Sequence, residues 1–166
     1  VVYFFLGRKI QYFLKLVKRY LLPISAIYAY CLLKNHFHIV LKIHHNCETP
    51  SQHFSNLFNA YTKAINKKYG RTGSLFEKPF KRIKITDENY LKTLILYIHL
   101  NPEHHQISND FRNYKHSSYS LIIDQKKTNI KKDEVLLLFD GVQNFIETHL
   151  NRKTLINKRN KALFLE

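Results

Sequence analysis

The chain has 166 residues, 45% of them hydrophobic, and its 27 Lys and Arg against 12 Asp and Glu give a formal net charge of +15. This length and hydrophobic content fit one globular domain with a sizeable core and exclude a disordered chain. So large a positive charge favours a polyanionic partner, which is nucleic acid or an anionic membrane surface. No run of about 18 apolar residues is present, so we expect no membrane span. Two cysteines, Cys31 and Cys47, are too few for a disulfide framework and favour reduced thiols in a cytoplasmic protein.

The first residue is valine, so it is either a processed end or the cut edge of a longer chain. The apolar lead-in at residues 1–6 predicts the end of a strand and is too short for a signal peptide. Residues 9–21 carry apolar side chains at helical spacing, and Pro23 ends the helix that this spacing predicts.

A strand and a second helix are predicted next. Residues 24–33 have little polarity on either face, which predicts a strand in the centre of a sheet. A polar loop covers residues 44–50. Ser51 is the predicted N-cap of the following helix, and Gly70 closes that helix at its carboxyl end.

Between these two elements, residues 35–43 predict a strand with a histidine on either side of a phenylalanine. Side chains alternate along a strand, so His36 and His38 share one face while Phe37 and Ile39 point into a core. Two imidazoles about 6 to 7 Å apart on one face can converge on a metal ion. The alternative is a pair of ordinary histidines on a half-exposed sheet.

A basic segment interleaved with aromatic residues follows the second helix, at residues 71–85, and its last six residues predict a strand. Its cations can neutralise phosphates, and Phe76 and Phe80 can stack on unpaired bases. Alternatively, the phenylalanines belong to the core and the cations form a solvated face. The residues predicted to bind DNA are Lys63, Lys67, Arg71, Lys78, Lys81, Arg82 and Lys84.

The third predicted helix covers residues 88–100, with Thr86 as its N-cap candidate and Pro102 beyond its end. Tyr97 and Asn101 are four residues apart and therefore share one helix face.

The rest of the chain carries no motif that we can interpret. Residues 117–123 form a short element of uncertain type, and residues 134–139 and 142–150 predict two short helices. The tail from residue 151 is basic.

Taken together, the histidine pair and Tyr97 suggest phosphodiester chemistry. A phenol beside a divalent metal is a plausible nucleophile for a phosphorus atom, and a covalent phosphotyrosine results. On spacing alone Tyr61 and Tyr69 are equal candidates for this role. A metal-dependent hydrolase that uses water as its nucleophile is another possibility.

Four blocks of the chain resemble the HUH single-tyrosine transposases, and in particular their REP-associated tyrosine transposase branch. They are NHFHIV at residues 35–40, RTGSLFEKPFK at 71–81, YIHLNP at 97–102 and YKHSSY at 114–119. The similarity spans roughly residues 5–122, with the blocks in the family's order. Lys34 stands where the family often has proline or a small residue, and the family has an earlier strand before the first helix.

The resemblance implies a role for each matching residue. Tyr97 matches the nucleophile that cuts single-stranded DNA and stays attached to the 5′ phosphate. His36 and His38 match metal ligands, and Asn101 occupies the position of a third polar ligand. The implied cofactor is a divalent metal, Mg²⁺ or Mn²⁺, and the implied partner is single-stranded DNA with an adjacent hairpin.

The resemblance also implies an α+β fold, with a central antiparallel sheet flanked by helices, similar to ferredoxin-like and HUH transposase folds. We expect a catalytic domain at residues 1–125, with or without the first strand of the family, and a small helical C-terminal extension with a basic tail at 126–166. The expected location is the bacterial cytoplasm, at the nucleoid, as a monomer or homodimer without a membrane partner. The alternative function is a non-catalytic single-stranded nucleic-acid-binding module, or an inactive domesticated transposase remnant.

Overall fold

A computed structural model describes residues 7–77, 79–124 and 126–156 of the chain. The predictions for residues 1–6, for Lys78 and for the tail from residue 157 lie outside the described residues. In chain order the elements are α1 (Arg8–Tyr20), β1 (Ser25–Leu32), β2 (Phe37–Ile43), α2 (Pro50–Tyr69), α3 (Glu88–His104), a 3-10 turn (Phe111–Asn113), α4 (Tyr119–Ile123), α5 (Lys132–Leu138) and α6 (Val142–Ile156). None of the described helices is long and apolar enough to cross a membrane.

Strands β1 and β2 pair antiparallel, with helices on both sides, so the predicted α+β arrangement is confirmed. A β-bulge at Tyr28 shifts the register, and beyond it Cys31 lies opposite His38. The outer edge of β1 bonds to later segments of the chain: Leu32 N–H donates to His116 O, and Lys131 N–H donates to Ile27 O. Segments far along the chain therefore complete the hydrogen bonding of β1.

Adjacent side chains of β2 face different helices. The Phe37 ring packs against Phe13 of α1 and Phe58 of α2, with ring centroids 5.0 and 6.1 Å away. His38 points to the other side, where its ring meets Tyr97 of α3. This is the alternation that a strand imposes, and it places the sheet between α1 and α2 on one face and α3 on the other.

Two predicted helix boundaries were wrong. Helix α2 begins at Pro50 after Thr49, rather than after Ser51, because proline is suited to the first turn, where an N–H has no helical partner. Gly70 ends α2 at φ 60°, in the left-handed conformation predicted for it. The N-cap of α3 is Asp87, whose side chain accepts from Tyr90 N–H, and not Thr86.

Helix α3 also continues past its predicted end. Pro102 lies inside the helix, and His105 N–H still donates to Asn101 O at 3.0 Å. Proline here removes one hydrogen bond near the end of a helix that is buried from Ile95 to Pro102, and that burial outweighs the loss. The extra turn carries His105 to the C-cap position.

The predicted strand at residues 80–85 was wrong, since the described residues from 79 to 87 contain no strand. The segment packs against α2 instead of pairing with a sheet. Phe80 lies 5.3 Å from Phe54 between ring centroids, and Arg82 Nη1 donates to Ser51 Oγ at 3.2 Å. Aromatic packing on a helix face thus takes precedence over the alternation that predicted a strand.

The C-terminal elements are helical. Residues 119–123 form α4, and α5 and α6 confirm the two predicted helices with shifted ends. Phe139 and Phe145, with 2% and 0% of their surface exposed, join the same core cluster as the sheet and α3.

Candidate metal and tyrosine site

The structure brings His38 and Tyr97 together. His38 lies in β2 and Tyr97 in α3, and their ring centroids are 5.6 Å apart with the rings tilted by 69°. Tyr97 is 6% exposed, so α3 and the sheet hold its ring almost completely. His38 and Tyr97 are 59 positions apart in sequence, and the packing of α3 on the sheet brings them together.

His36 lies one residue before β2, in the turn, rather than inside the strand as predicted. Its ring centroid is nevertheless 5.2 Å from that of His38. His36 Nδ1 is 2.9 Å from Asn35 Oδ1. A proton on Nδ1 donates to that oxygen and leaves Nε2 as the nitrogen with a lone pair, which is the arrangement that a metal ligand needs.

Asn101 is completely buried, and neither Oδ1 nor Nδ2 of its amide has a hydrogen-bond partner. His38 Nε2 is buried and unpartnered as well. A buried polar group without a partner costs about 1 to 3 kcal/mol, so such groups are rare in native proteins. Because Asn101 is one helical turn beyond Tyr97, its amide lies on the side of α3 that meets the histidine strand.

The environment keeps His38 uncharged. Burial, with smaller contributions from the neighbouring His36 and His105, lowers its pKa to about 4. At neutral pH the imidazole is therefore neutral, which is the form that binds metal ions.

His105 is a residue that the sequence analysis missed. Its ring centroid lies 5.1 Å from that of His36, at the end of α3. It is four residues after Asn101 and eight after Tyr97, so helical spacing continued through Pro102 predicts this placement.

The donor set fits a divalent metal that accepts both nitrogen and oxygen ligands. Within the described residues, no three or more His, Cys, Asp or Glu side chains are arranged to hold a metal ion. The predicted ligands are instead two imidazoles and one carboxamide oxygen. Imidazole nitrogen suits Mn²⁺ better than Mg²⁺, and both ions accept an amide oxygen.

The other tyrosine candidates lie elsewhere. Tyr61 is completely buried between α1 and α2, where its ring packs edge-on against Phe13. Tyr69 is 48% exposed, and Lys9 Nζ lies over its ring. Neither position adjoins the histidine strand in the way that Tyr97 does.

The predicted DNA-binding residues lie on α2 and on the segment after it. The side chains of Lys63, Lys67, Lys81, Arg82 and Lys84 are exposed, Arg71 Nη1 donates to Asn66 Oδ1, and Lys78 lies outside the described residues. Phe76 and Phe80 pack against α2, with Phe76 4.6 Å from Phe58 between ring centroids. Phe76 also lies 6.2 Å from Phe37, the residue between the two candidate histidines. The basic segment therefore reaches β2 on its Phe37 side, which is the face opposite His38 and Tyr97.

The fold has the α+β architecture of a transposase-like domain. It is similar to a solved structure of a REP-associated tyrosine transposase bound to a REP hairpin, with a TM-score of 0.58 and 14% sequence identity. The match covers 70% of this chain and 66% of that one, so it spans slightly less than two thirds of that protein. At this identity the likeness establishes the fold alone. No family model and no curated protein sequence matches the chain.

Proposed function

We propose that this protein is a DNA transposase of the single-strand endonuclease and strand-transferase type, with Tyr97 as its nucleophile. The observation that carries the proposal is the contact between the Tyr97 and His38 rings, with the unpartnered polar atoms of His38 and Asn101 beside it. A candidate nucleophile thus lies against His38, and the unpartnered amide of Asn101 is one helical turn away.

The chemistry follows from the phenol. Tyr97 Oη loses its proton and attacks the phosphorus of a DNA phosphodiester, forming a new P–O bond. The bond from phosphorus to the 3′ oxygen breaks, and that oxygen gains a proton to become a free 3′ hydroxyl. The 5′ phosphate remains attached to Tyr97, so the bond energy is conserved for a later joining step in which a 3′ hydroxyl attacks the phosphotyrosine.

His36, His38 and Asn101 would hold the metal. When bound, a divalent ion polarises a phosphate oxygen and orients the phosphorus. The chain's own part is to hold two imidazoles, of which His38 is neutral, and the buried amide of Asn101 near the tyrosine.

Charge favours single-stranded DNA with a hairpin as the substrate. The net charge of +15 favours a polyanion, and Lys81, Arg82 and Lys84 of the basic segment are exposed. The transposase with a similar fold was solved with a DNA hairpin, which supports the same class of substrate here.

The test incubates the protein with labelled single-stranded DNA carrying a hairpin, with Mn²⁺ or Mg²⁺, followed by a denaturing gel. We expect a covalent adduct from the wild type and at least a thousand-fold less adduct from Tyr97→Phe, with DNA affinity unchanged. Tyr61→Phe is the matched control and should retain the adduct.

Other outcomes would identify other functions. Cleavage that survives Tyr97→Phe but requires His36 would indicate a hydrolase that uses water. Binding without any cleavage or adduct would contradict the proposal and favour a nucleic-acid-binding module or an inactive remnant.

A further inference from the structure

A buried chain of hydrogen bonds connects β1, α3 and α6. Tyr30 N–H donates to Ser118 Oγ at 2.9 Å, and Ser118 Oγ lies 2.9 Å from His99 Nε2. His99 Nδ1 lies 2.9 Å from His149 Nε2, and His149 Nδ1 lies 2.7 Å from Phe145 O. The side chains of His99, His149 and Ser118 are completely buried.

Only one arrangement of protons satisfies this chain. Both rings are completely buried and are hydrogen-bonded to neutral groups, so each is neutral and carries one proton. Phe145 O can only accept, so His149 carries its proton on Nδ1 and accepts at Nε2. His99 therefore donates from Nδ1 and accepts the Ser118 hydroxyl proton at Nε2. Each ring nitrogen of His99 and His149 and the Ser118 hydroxyl has a hydrogen-bond partner. A fully satisfied buried network of this kind specifies one packing arrangement.

These hydrogen bonds hold α3 at the turn that carries the candidate site. His99 lies two residues after Tyr97 and two before Asn101. At about 100° per residue its side chain is about 200° around the helix from Tyr97, on the opposite side. One side of α3 thus faces the histidine strand, and the other is bonded to α4 through its N-cap Ser118 and to α6 through His149.

We propose that His99 and His149 are positioning residues, and that α6 fixes the rotation of α3 so that Tyr97 and Asn101 face His38. The C-terminal helix is then part of the scaffold of the site. The link to catalysis rests on the function proposed above, whereas the link to the geometry of α3 does not. Apolar packing alone permits small rotations of a helix, while two directional hydrogen bonds, one at each nitrogen of the His99 ring, do not.

The test compares His149→Leu with the double variant His99→Leu/His149→Leu. The single change leaves His99 Nδ1–H buried without an acceptor, so we expect a clear loss of thermal stability. In the double variant the unpaired His99 Nδ1–H is gone as well. Ser118 Oγ can then donate to Tyr30 O, which lies 3.3 Å away. Stability should therefore return close to that of the wild type.

The decisive readout is the geometry of the site in this stable double variant. The NMR shifts of the His38 ring protons report the Tyr97 ring beside them and can be assigned with Tyr97→Phe. We expect these shifts to change and the rate of adduct formation to fall about tenfold, with DNA affinity unchanged. Val135→Ala, which removes buried volume from α5 outside the chain of hydrogen bonds, should lower stability without moving the His38 shifts.

Wild-type His38 shifts in the stable double variant would overturn the positioning role, whatever the adduct rate. If the wild type forms no adduct but the His38 shifts still move, the positioning role stands and the proposed function fails. If the adduct forms normally in the double variant and the shifts are unchanged, the proposed function stands and the positioning role fails.

Discussion

Asn101 carries the clearest conflict between stability and function at the level of a single residue. Its amide is completely buried, and both of its polar atoms lack hydrogen-bond partners. An apolar side chain of similar volume would pack there without that cost. The stability lost by keeping a polar side chain in such a place supports the proposed role of Asn101 as a ligand.

Asn101→Leu tests this reading. We expect the free energy of unfolding, measured by urea denaturation in EDTA, to rise by about 1 to 2 kcal/mol because a buried orphan is removed. Mn²⁺ affinity, measured by calorimetry, should fall at least tenfold. Asn66→Leu is the control, since Asn66 donates to Gly73 O and accepts from Arg71, and it should lower stability. A loss of stability in Asn101→Leu would contradict the prediction.

Among the elements, the segment from Arg71 to Lys84 combines fixed aromatic rings with exposed cations. Phe76 and Phe80 are held against α2, so these rings anchor the segment to the protein. The cations that follow them, Lys81, Arg82 and Lys84, remain on the surface. Charges on an anchored segment lose less conformational entropy on binding a phosphate backbone than charges on a flexible segment do.

The charges of this segment should determine the salt dependence of DNA binding. Each phosphate contact on a single strand contributes about 0.7 to the slope of log K against log salt. We expect Lys81→Gln/Arg82→Gln/Lys84→Gln to reduce that slope by about 2, as measured by fluorescence anisotropy over a range of salt concentrations. A triple change at Lys115, Lys126 and Lys127, which are exposed and outside this segment, should leave the slope nearly unchanged. Equal effects of the two variants would assign the binding to net charge alone.

At the scale of the whole molecule, one core unites the sheet, α3 and the C-terminal helices. His149 lies inside this core among the rings of Phe111, Tyr119, Phe139 and Phe145. These rings offer no charge to stabilise an imidazolium. The core can therefore hold His149 and His99 only in their neutral forms.

This predicts that acid weakens the fold. The pKa of His149 is about 4 in the folded protein and about 6.5 when unfolded, so between these values only the unfolded chain binds the proton. The free energy of unfolding should therefore fall as the pH falls from about 6.5 to 4, by about 3 kcal/mol for His149 alone. Urea denaturation at several pH values measures this. The double variant His99→Leu/His149→Leu should show a shallower dependence, and a flat profile for the wild type would contradict the prediction.

Much of the fold could be predicted because it depends on local patterns. Apolar spacing gave helix α1, the left-handed Gly70 gave the end of α2, and strand alternation gave opposite faces to Phe37 and His38. The strand predicted at residues 80–85 failed because alternation cannot tell a sheet edge from the face of α2. The end of α3 failed because burial outweighed the local effect of Pro102.

The sequence by itself determined the chemical types of the candidate site, namely a pair of histidines at the start of a strand, and a tyrosine and an asparagine on one face of a helix. Only the tertiary structure decided which tyrosine meets the histidines, since Tyr61, Tyr69 and Tyr97 are equivalent by spacing. It also added His105 to the cluster and joined His99 to His149, which are 50 positions apart. The physical reason is that helical and strand periodicity fix which way a side chain faces, whereas its partner across the core depends on how distant elements pack.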